Sequence, residues 1–181
     1  MTELVTPSPR YRASFLAADA EATAEGTGRG VTDDAAFSAL LARIERNASG
    51  RDLPANRVQE TTLWLVDGDD YIGRIALRHA LTPLLLAIGG HVGYDVRPSR
   101  RRQGHATRML TLVKPRLAAL GIDPALITCD TDNIGSRKVI ESCGGRLATD
   151  EVDLAAALAI APPEARAEAA TPQLRYWLPT T

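Results

Sequence analysis

The run from His91 to Leu110 places a strand, a loop and a helix in fixed succession, and the rest of the chain has to fold around that unit. His91, Tyr94 and Val96 suit a strand, Pro98 stops it, and Ala106, Met109, Leu110, Val113, Leu117 and Leu120 recur at helical spacing. The loop between them therefore delivers its backbone to a helix N-terminus, where free N–H groups and the helix dipole favour an anion. Gly104 lets the backbone come close to such a group, and Ala106 keeps the first turn thin. Arg97, Arg100, Arg101 and Arg102 add positive charge. Taken alone they read as a solvated cluster or a nucleic-acid patch, so the backbone amides carry more of the argument than any one arginine.

Taken in order, Tyr11 to Glu25 has helical composition and ends at Gly26 and Gly28. Thr32-Asp33-Asp34 supplies a cap and an acidic first turn for a second helix, which carries Phe37, Leu40, Leu41 and Ile44 on one face and closes at Gly50. Thr61 to Val66 has strand composition and Asp67-Gly68-Asp69 is a hairpin turn. The return strand puts Gly73, Ile75 and Leu77 on one face and Arg74 and Arg78 on the other, the pattern of a half-buried strand. Leu81 to Gly90 reads as a buried connection of about one helical turn. Pro115 falls inside the helix after the arginine loop and predicts a kink there, with Gly121 as the final cap. Pro124 to Asp130 predicts a strand, Asn133 to Cys143 a helix closed by Gly144-Gly145, and Arg146 to Thr149 a further strand. Residues 150–170 read as a helix broken at Pro162-Pro163 or as an excursion, and Gln173 to Leu178 as a last strand. Two helices followed by a meander indicate an α+β fold.

Length and charge narrow the function. A chain of 181 residues, 45% hydrophobic, suffices for one domain spanning 1–181. A formal charge of −1 lacks the basic excess of a nucleic-acid binder. No apolar run reaches the ~18 residues of a membrane span, and Met1 to Arg12 is polar where an export signal needs an apolar core, so a cytoplasmic protein without membrane contact is expected. Cys129 and Cys143 lack C-x-x-C spacing and are expected to stay reduced. With His79, His91 and His105 scattered, no metal site is expected.

Arg101-Arg102-Gln103-Gly104-His105-Ala106 resembles the acetyl-CoA signature of the GNAT N-acetyltransferase superfamily, an R/Q-x-x-G-x-G/A loop. Val96 and Pro98 sit where that family ends its strand. Asp132-Asn133-Ile134-Gly135-Ser136 resembles the start of the helix that lies along pantetheine, and the order of Gly-Gly-His91, Arg97-Pro98 and a closing Arg175-Tyr176-Trp177 is similar to a branch of predicted acetyltransferases. The resemblance covers 60–149 closely, and 1–55 and 150–178 more loosely as acceptor-side elements. It implies an α+β fold with a mixed, mostly antiparallel central sheet of about six to seven strands flanked by about four helices. It also implies acetyl-CoA as acyl-donor cosubstrate, held by Tyr94, Asp95, Val96, Arg101, Arg102, Gln103, Gly104, His105, Ala106, Thr107, Asn133 and Ser136. Asn133 is equally an ordinary N-cap for the Ser136 amide.

The chain departs from the family at both proton-handling positions. The usual tyrosine is replaced by Ile140, and the usual glutamate by Thr128. Tyr94 and His91 are then the candidate catalytic side chains, His91 because an imidazole titrates near working pH. Cys143 and Ser142 are further candidates, and the thiol lacks an evident histidine partner. The expected reaction is direct transfer of acetyl from acetyl-CoA to an amine of a small molecule or peptide in a ternary complex, since a thioester is already activated. The alternative is a GNAT-like acyl-CoA-binding module without turnover. Glu21 and Glu25 would suit a cationic acceptor or a solvated helix face, and an exposed Tyr176-Trp177 edge would suit a homodimer.

Overall fold

The chain lays down seven strands, β1 (Glu3–Val5), β2 (Glu60–Asp67), β3 (Asp70–Arg78), β4 (Val92–Val96), β5 (Ala125–Asp130), β6 (Arg146–Leu147) and β7 (Gln173–Leu178), in one sheet of order β1-β2-β3-β4-β5-β7-β6. The computed structural model describes residues 1–54, 56–150, 152, 154–159 and 173–181. Every neighbouring pair is antiparallel except β4 and β5, so the sheet is mixed and mostly antiparallel, as expected.

The helices are α1 (Arg12–Ala24), α2 (Asp34–Ser49), α3 (Pro83–Ala87), α4 (His105–Ala119), α5 (Ile134–Ser142) and α6 (Leu154–Ala159). Six helices appear among the described residues where about four were expected. The two extra ones are the short α3, which is the turn of helix in the connection after β3, and α6. Pro162-Pro163 lies outside the described residues.

The sequence signals explain the boundaries. The Asp33 side chain caps α2 by accepting the Ala36 N–H at 2.8 Å, and Gly50 ends the helix at φ +67°. α4 ends with Gly121 at φ +75°, its N–H donating to Ala118 and that of Ile122 to Leu117, a Schellman closure. α4 continues unbroken across Pro115. Pro115 and Thr111, whose carbonyl lacks its usual donor, both lie away from the core where water can serve instead.

Two cores cover the two faces of the sheet. On one, α4 and α5 bring Met109, Leu110, Val113, Leu117 and Ile140 against Leu63, Ile75, Leu77 and Ile127. On the other, α1 and α2 pack Phe15 and Phe37 against Trp64 and Tyr71, with the Phe15 and Trp64 rings stacked at 5.0 Å. The division of faces expected for β3 holds from Gly73 to Arg78, with Gly73, Ile75 and Leu77 buried and Arg74 and Arg78 partly exposed, but the strand is covered on both faces rather than one. Tyr71 enters the aromatic core and Ile75 and Leu77 the other, while a bulge leaves Ile72 unpaired between Tyr71 and Gly73, so strict alternation fails there.

The exposed edge expected at Tyr176-Trp177 is also corrected: β7 lies between β5 and β6, and Tyr176 is buried with its hydroxyl donating to Glu141 at 2.9 Å. Both cysteines are free. No helix among the described residues is long and apolar enough to cross a membrane.

Candidate active site

The site begins where two parallel strands part. β4 and β5 are joined in register at one pair, Val92 with Ile127, and just before it the His91 N–H donates to the Leu126 carbonyl at 2.7 Å. Gly90 makes that approach possible, at φ +59° and with a Cβ that would stand 2.4 Å from the Leu126 carbonyl oxygen. Beyond Val92, β4 stays paired with β3 as far as Val96 opposite Gly73, but carries no partner on its β5 side among the described residues. The gap opens into a cleft of about 710 Å³.

The second wall is the start of α4. Pro98–Arg100 forms a 3-10 turn, and Arg102 at φ +64° and Gly104 at φ +79° turn the loop into the helix. Among the described residues no side chain caps α4, and the first amide to reach a carbonyl is that of Arg108, to Gly104 at 2.9 Å. The N–H groups of His105, Ala106 and Thr107 thus have no protein acceptor among the described residues, and all three residues line the cleft. A Cβ on Gly104 would meet nothing within 4 Å, so glycine serves there through its backbone angle.

The arginines divide by role. Arg97 donates to Glu21 at 2.8 and 2.6 Å and to Asp70 at 3.0 Å, and Glu21 also accepts the Ser99 N–H at 3.1 Å. This holds the Glu21 carboxyl down at about 2, first through Arg97, against the opposing effect of burial. Arg100 pairs with Asp70, and Arg101 with Glu25 at 2.6 Å while also donating to the Val96 carbonyl at 3.2 Å. Glu21 and Glu25 are therefore clamps on the arginine loop, which corrects their reading as ligands for a cationic acceptor. Arg102 lines the cleft with no carboxylate partner among the described residues.

The third wall is the first turns of α5. Asn133 accepts the Ser136 N–H at 2.9 Å, the N-cap role read from the sequence, and both residues line the cleft. The Tyr94 hydroxyl lies 2.8 Å from that of Ser136. Burial pushes the phenol up to about 12. The structure thus brings Tyr94, Asp95 and Val96 of β4 together with Arg101, Arg102, Gly104, His105, Ala106, Thr107, Asn133 and Ser136. Arg100, read from the sequence as part of the arginine cluster, and Ile134 and Gly135, read as part of the Asn133 motif, share the same lining, whereas sequence reasoning missed Lys138 and Val139. Ile134 with Lys138, and Gly135 with Val139, follow four-residue spacing along the helix that Asn133 opens, so the signal was present.

Two proposed residues stand apart. Gln103 does not line the cleft. His91 precedes β4, at the opposite end from the gap, and its Nδ1 accepts the Leu126 N–H at 3.0 Å. Burial, then Arg78, lowers its basicity, so the ring is a neutral wedge between strands rather than a base on the cleft. His105 is likewise held toward its neutral form, first by burial and then by Arg100. The Thr128 hydroxyl accepts the Gly89 N–H at 2.8 Å and Ile140 is fully buried, so both departures from the family have structural duties. Cys143 caps α5, its sulfur 3.8 Å from the Thr107 carbonyl oxygen.

Asp95, Val96 and Arg101 also border a second cavity, of about 260 Å³, between α1 and the sheet. Its floor is Phe15, Ala18, Ala22 and Tyr71, and Arg29 reaches in from the loop between α1 and α2.

The family described as acetyltransferase (GNAT) domain matches residues 3–146. No curated protein matches the sequence significantly. Among solved structures, the microcin C7 self-immunity acetyltransferase MccE, in complex with acetyl-CoA and AMP, superposes with a TM-score of 0.67 at 10% identity, covering 98% of this chain and 92% of its own. Mycobacterium smegmatis RimJ in complex with CoA-disulfide gives 0.67 at 15% identity, over 98% and 81%. A spermidine N-acetyltransferase SpeG chimera from Vibrio cholerae and hSSAT gives 0.62 at 12% identity, over 99% and 95%. At these identities the likeness is one of fold.

Proposed function

The chain belongs to the GNAT acetyltransferase family, and we propose that it transfers the acetyl group of acetyl-CoA directly to an amine of a small molecule or peptide within a ternary complex. The observation that carries this reading is that N–H groups at the start of α4 and one side of β4, both without partners among the described residues, face one cleft. MccE binds acetyl-CoA, and RimJ binds CoA as its disulfide.

The residues present fit such a donor. The N–H groups of His105, Ala106 and Thr107 would bind its diphosphate, with the Arg102 guanidinium on the same wall. Ile134 and Val139 offer an apolar wall for the pantetheine arm. When bound, acetyl-CoA supplies an acyl group already activated as a thioester. The open side of β4 from Tyr94 to Val96 offers backbone N–H groups to a carbonyl, a contribution of about 3 kcal/mol in comparable oxyanion sites. Tyr94 Oη keeps its proton well past neutral pH and is the proton donor of this cleft, in place of the tyrosine replaced by Ile140. We assign the single domain 1–181 to this activity and place the reaction in the cytoplasm, where acetyl-CoA is available.

The test is calorimetry of acetyl-CoA with the wild type and Gly104→Glu, which sets a carboxylate against the proposed diphosphate. Lost binding is expected, and unchanged affinity overturns the placement. Thiol release over a panel of amines, amino acids and peptides then tests turnover. Binding without release across the panel supports the non-catalytic module that the replacements at Thr128 and Ile140 favour.

A further inference from the structure

Asp95 stands at the junction of the two cavities and its two oxygens differ. Oδ2 accepts from Arg74 Nε at 2.7 Å and from Arg29 Nη2, while Oδ1 has no protein partner among the described residues. Arg29 spends that one donor on Asp95 and, among the described residues, keeps its other guanidinium N–H groups free. The remaining charged groups of the smaller cavity are committed. Asp19 accepts the backbone N–H groups of Arg29 and Val31 at 2.8 Å each, and Arg101 is tied to Glu25 and the Val96 carbonyl.

The open valences are therefore one anionic oxygen and one cationic fork on groups already in contact. They complement a ligand whose ammonium and carboxylate are themselves adjacent. The rest of the wall is Phe15, Ala18, Ala22, Tyr71 and Val96 with one further polar side chain, Thr27, and about 260 Å³ falls below the roughly 300–1,000 Å³ of sites for drug-sized ligands. We propose that this cavity takes an α-amino acid with an apolar side chain as the acetyl acceptor: the ammonium on Asp95 Oδ1, the carboxylate on Arg29, the side chain against Phe15 and Tyr71. Arg74 is a positioning residue that keeps Oδ2 occupied and turns Oδ1 toward the ligand. In the transfer the acceptor nitrogen gains a bond to the acetyl carbon as the carbon–sulfur bond breaks. The ammonium gives up two protons, one to Tyr94 as the phenol gives its own to the thiolate, and one to water.

This inference rests on the acetyl-CoA reading above, so the two are tested on the same samples. Calorimetry of the full chain measures acetyl-CoA first and then, with CoA present, three probes: L-phenylalanine, 2-phenylethylamine without the carboxylate, and 3-phenylpropanoate without the amine. Phenylalanine is expected to bind about tenfold or more tightly than either truncated probe, the loss of a charge-assisted contact. Arg29→Gln should weaken phenylalanine to the level of phenylethylamine without weakening phenylethylamine, and Arg29→Lys should restore part of the loss. Asp95→Asn should weaken both amines. If acetyl-CoA binds but phenylalanine fails to bind or does not exceed its truncated forms, or if Arg29→Gln weakens both amines equally, the acceptor assignment is wrong and the donor reading stands. If acetyl-CoA itself does not bind, both are overturned.

Discussion

The hydroxyl of Tyr94 lies 2.8 Å from the hydroxyl of Ser136, which joins β4 to the first turn of α5 across the space where β4 and β5 separate. Burial pushes the phenol from its ordinary 10 up to about 12. The phenol is therefore a donor throughout the range in which an amine acceptor can be assayed. Tyr94→Phe removes the proton and leaves the ring packed. We expect kcat to fall by about 100-fold or more with a stability loss of about 1 kcal/mol. Ser136→Ala, which keeps the phenol, should cost far less activity. Steady-state kinetics and urea unfolding of the two variants check this. Equal kcat for Tyr94→Phe and wild type would remove Tyr94 from the proton path.

Gly104 separates conformational need from steric need. Its Cβ would enter open space, yet its φ is +79°. Gly104→Ala should destabilise the protein by about 1–3 kcal/mol through backbone strain. It should weaken acetyl-CoA less than Gly104→Glu does, because alanine adds no charge. Chemical unfolding with parallel calorimetry resolves the two effects. A variant as stable as wild type would mean that the loop relaxes out of the left-handed region.

Acid should loosen the arginine loop. Glu21 is lowered from its ordinary 4.5 to about 2 by its bonds from Arg97. A carboxylate lowered on folding adds stability that is present above its unfolded value and lost as pH falls through its folded value. The window therefore runs from pH 4.5 down to about 2. Glu21→Gln should cost about 1–2 kcal/mol near neutrality and flatten the decline across that window. Urea midpoints collected against pH for both proteins test it, and parallel curves would assign the acid loss to other groups.

What could be read from the sequence was local. Gly104, Ala106 and Asn133 announce themselves because a helix start has a fixed backbone requirement within a few residues. The clamps could not be read that way. Glu21 meets Arg97 across 76 positions, and Asp95 meets Arg29 and Arg74 from two different elements, contacts that only the assembled sheet creates. Insertion of β7 between β5 and β6 is likewise a long-range outcome, and it moved Tyr176 from an expected edge into the core. His91 was misplaced for a related reason. Strand composition placed it on β4, but which end of β4 opens depends on where β5 stops pairing.

Ile140 is the position where family resemblance and packing pull apart. The family's tyrosine would sit there, yet Ile140 is fully buried beneath Gly145, where an added Cβ would come within 2.4 Å of the isoleucine Cγ2. Gly145 also donates its N–H to the Ile140 carbonyl at 2.9 Å, which fixes the chain over the side chain. A tyrosine at 140 would have to push that turn outward or bury a hydroxyl without a partner. Ile140→Tyr should therefore destabilise the protein by about 1–3 kcal/mol from overpacking, with more if the hydroxyl stays unpaired. It should also fail to rescue Tyr94→Phe, because the two side chains start from different walls. Urea unfolding of the single variant and kcat of the double variant decide the point. Restored turnover in the double variant, at undiminished stability, would return the proton-donor role to position 140 and take it from Tyr94.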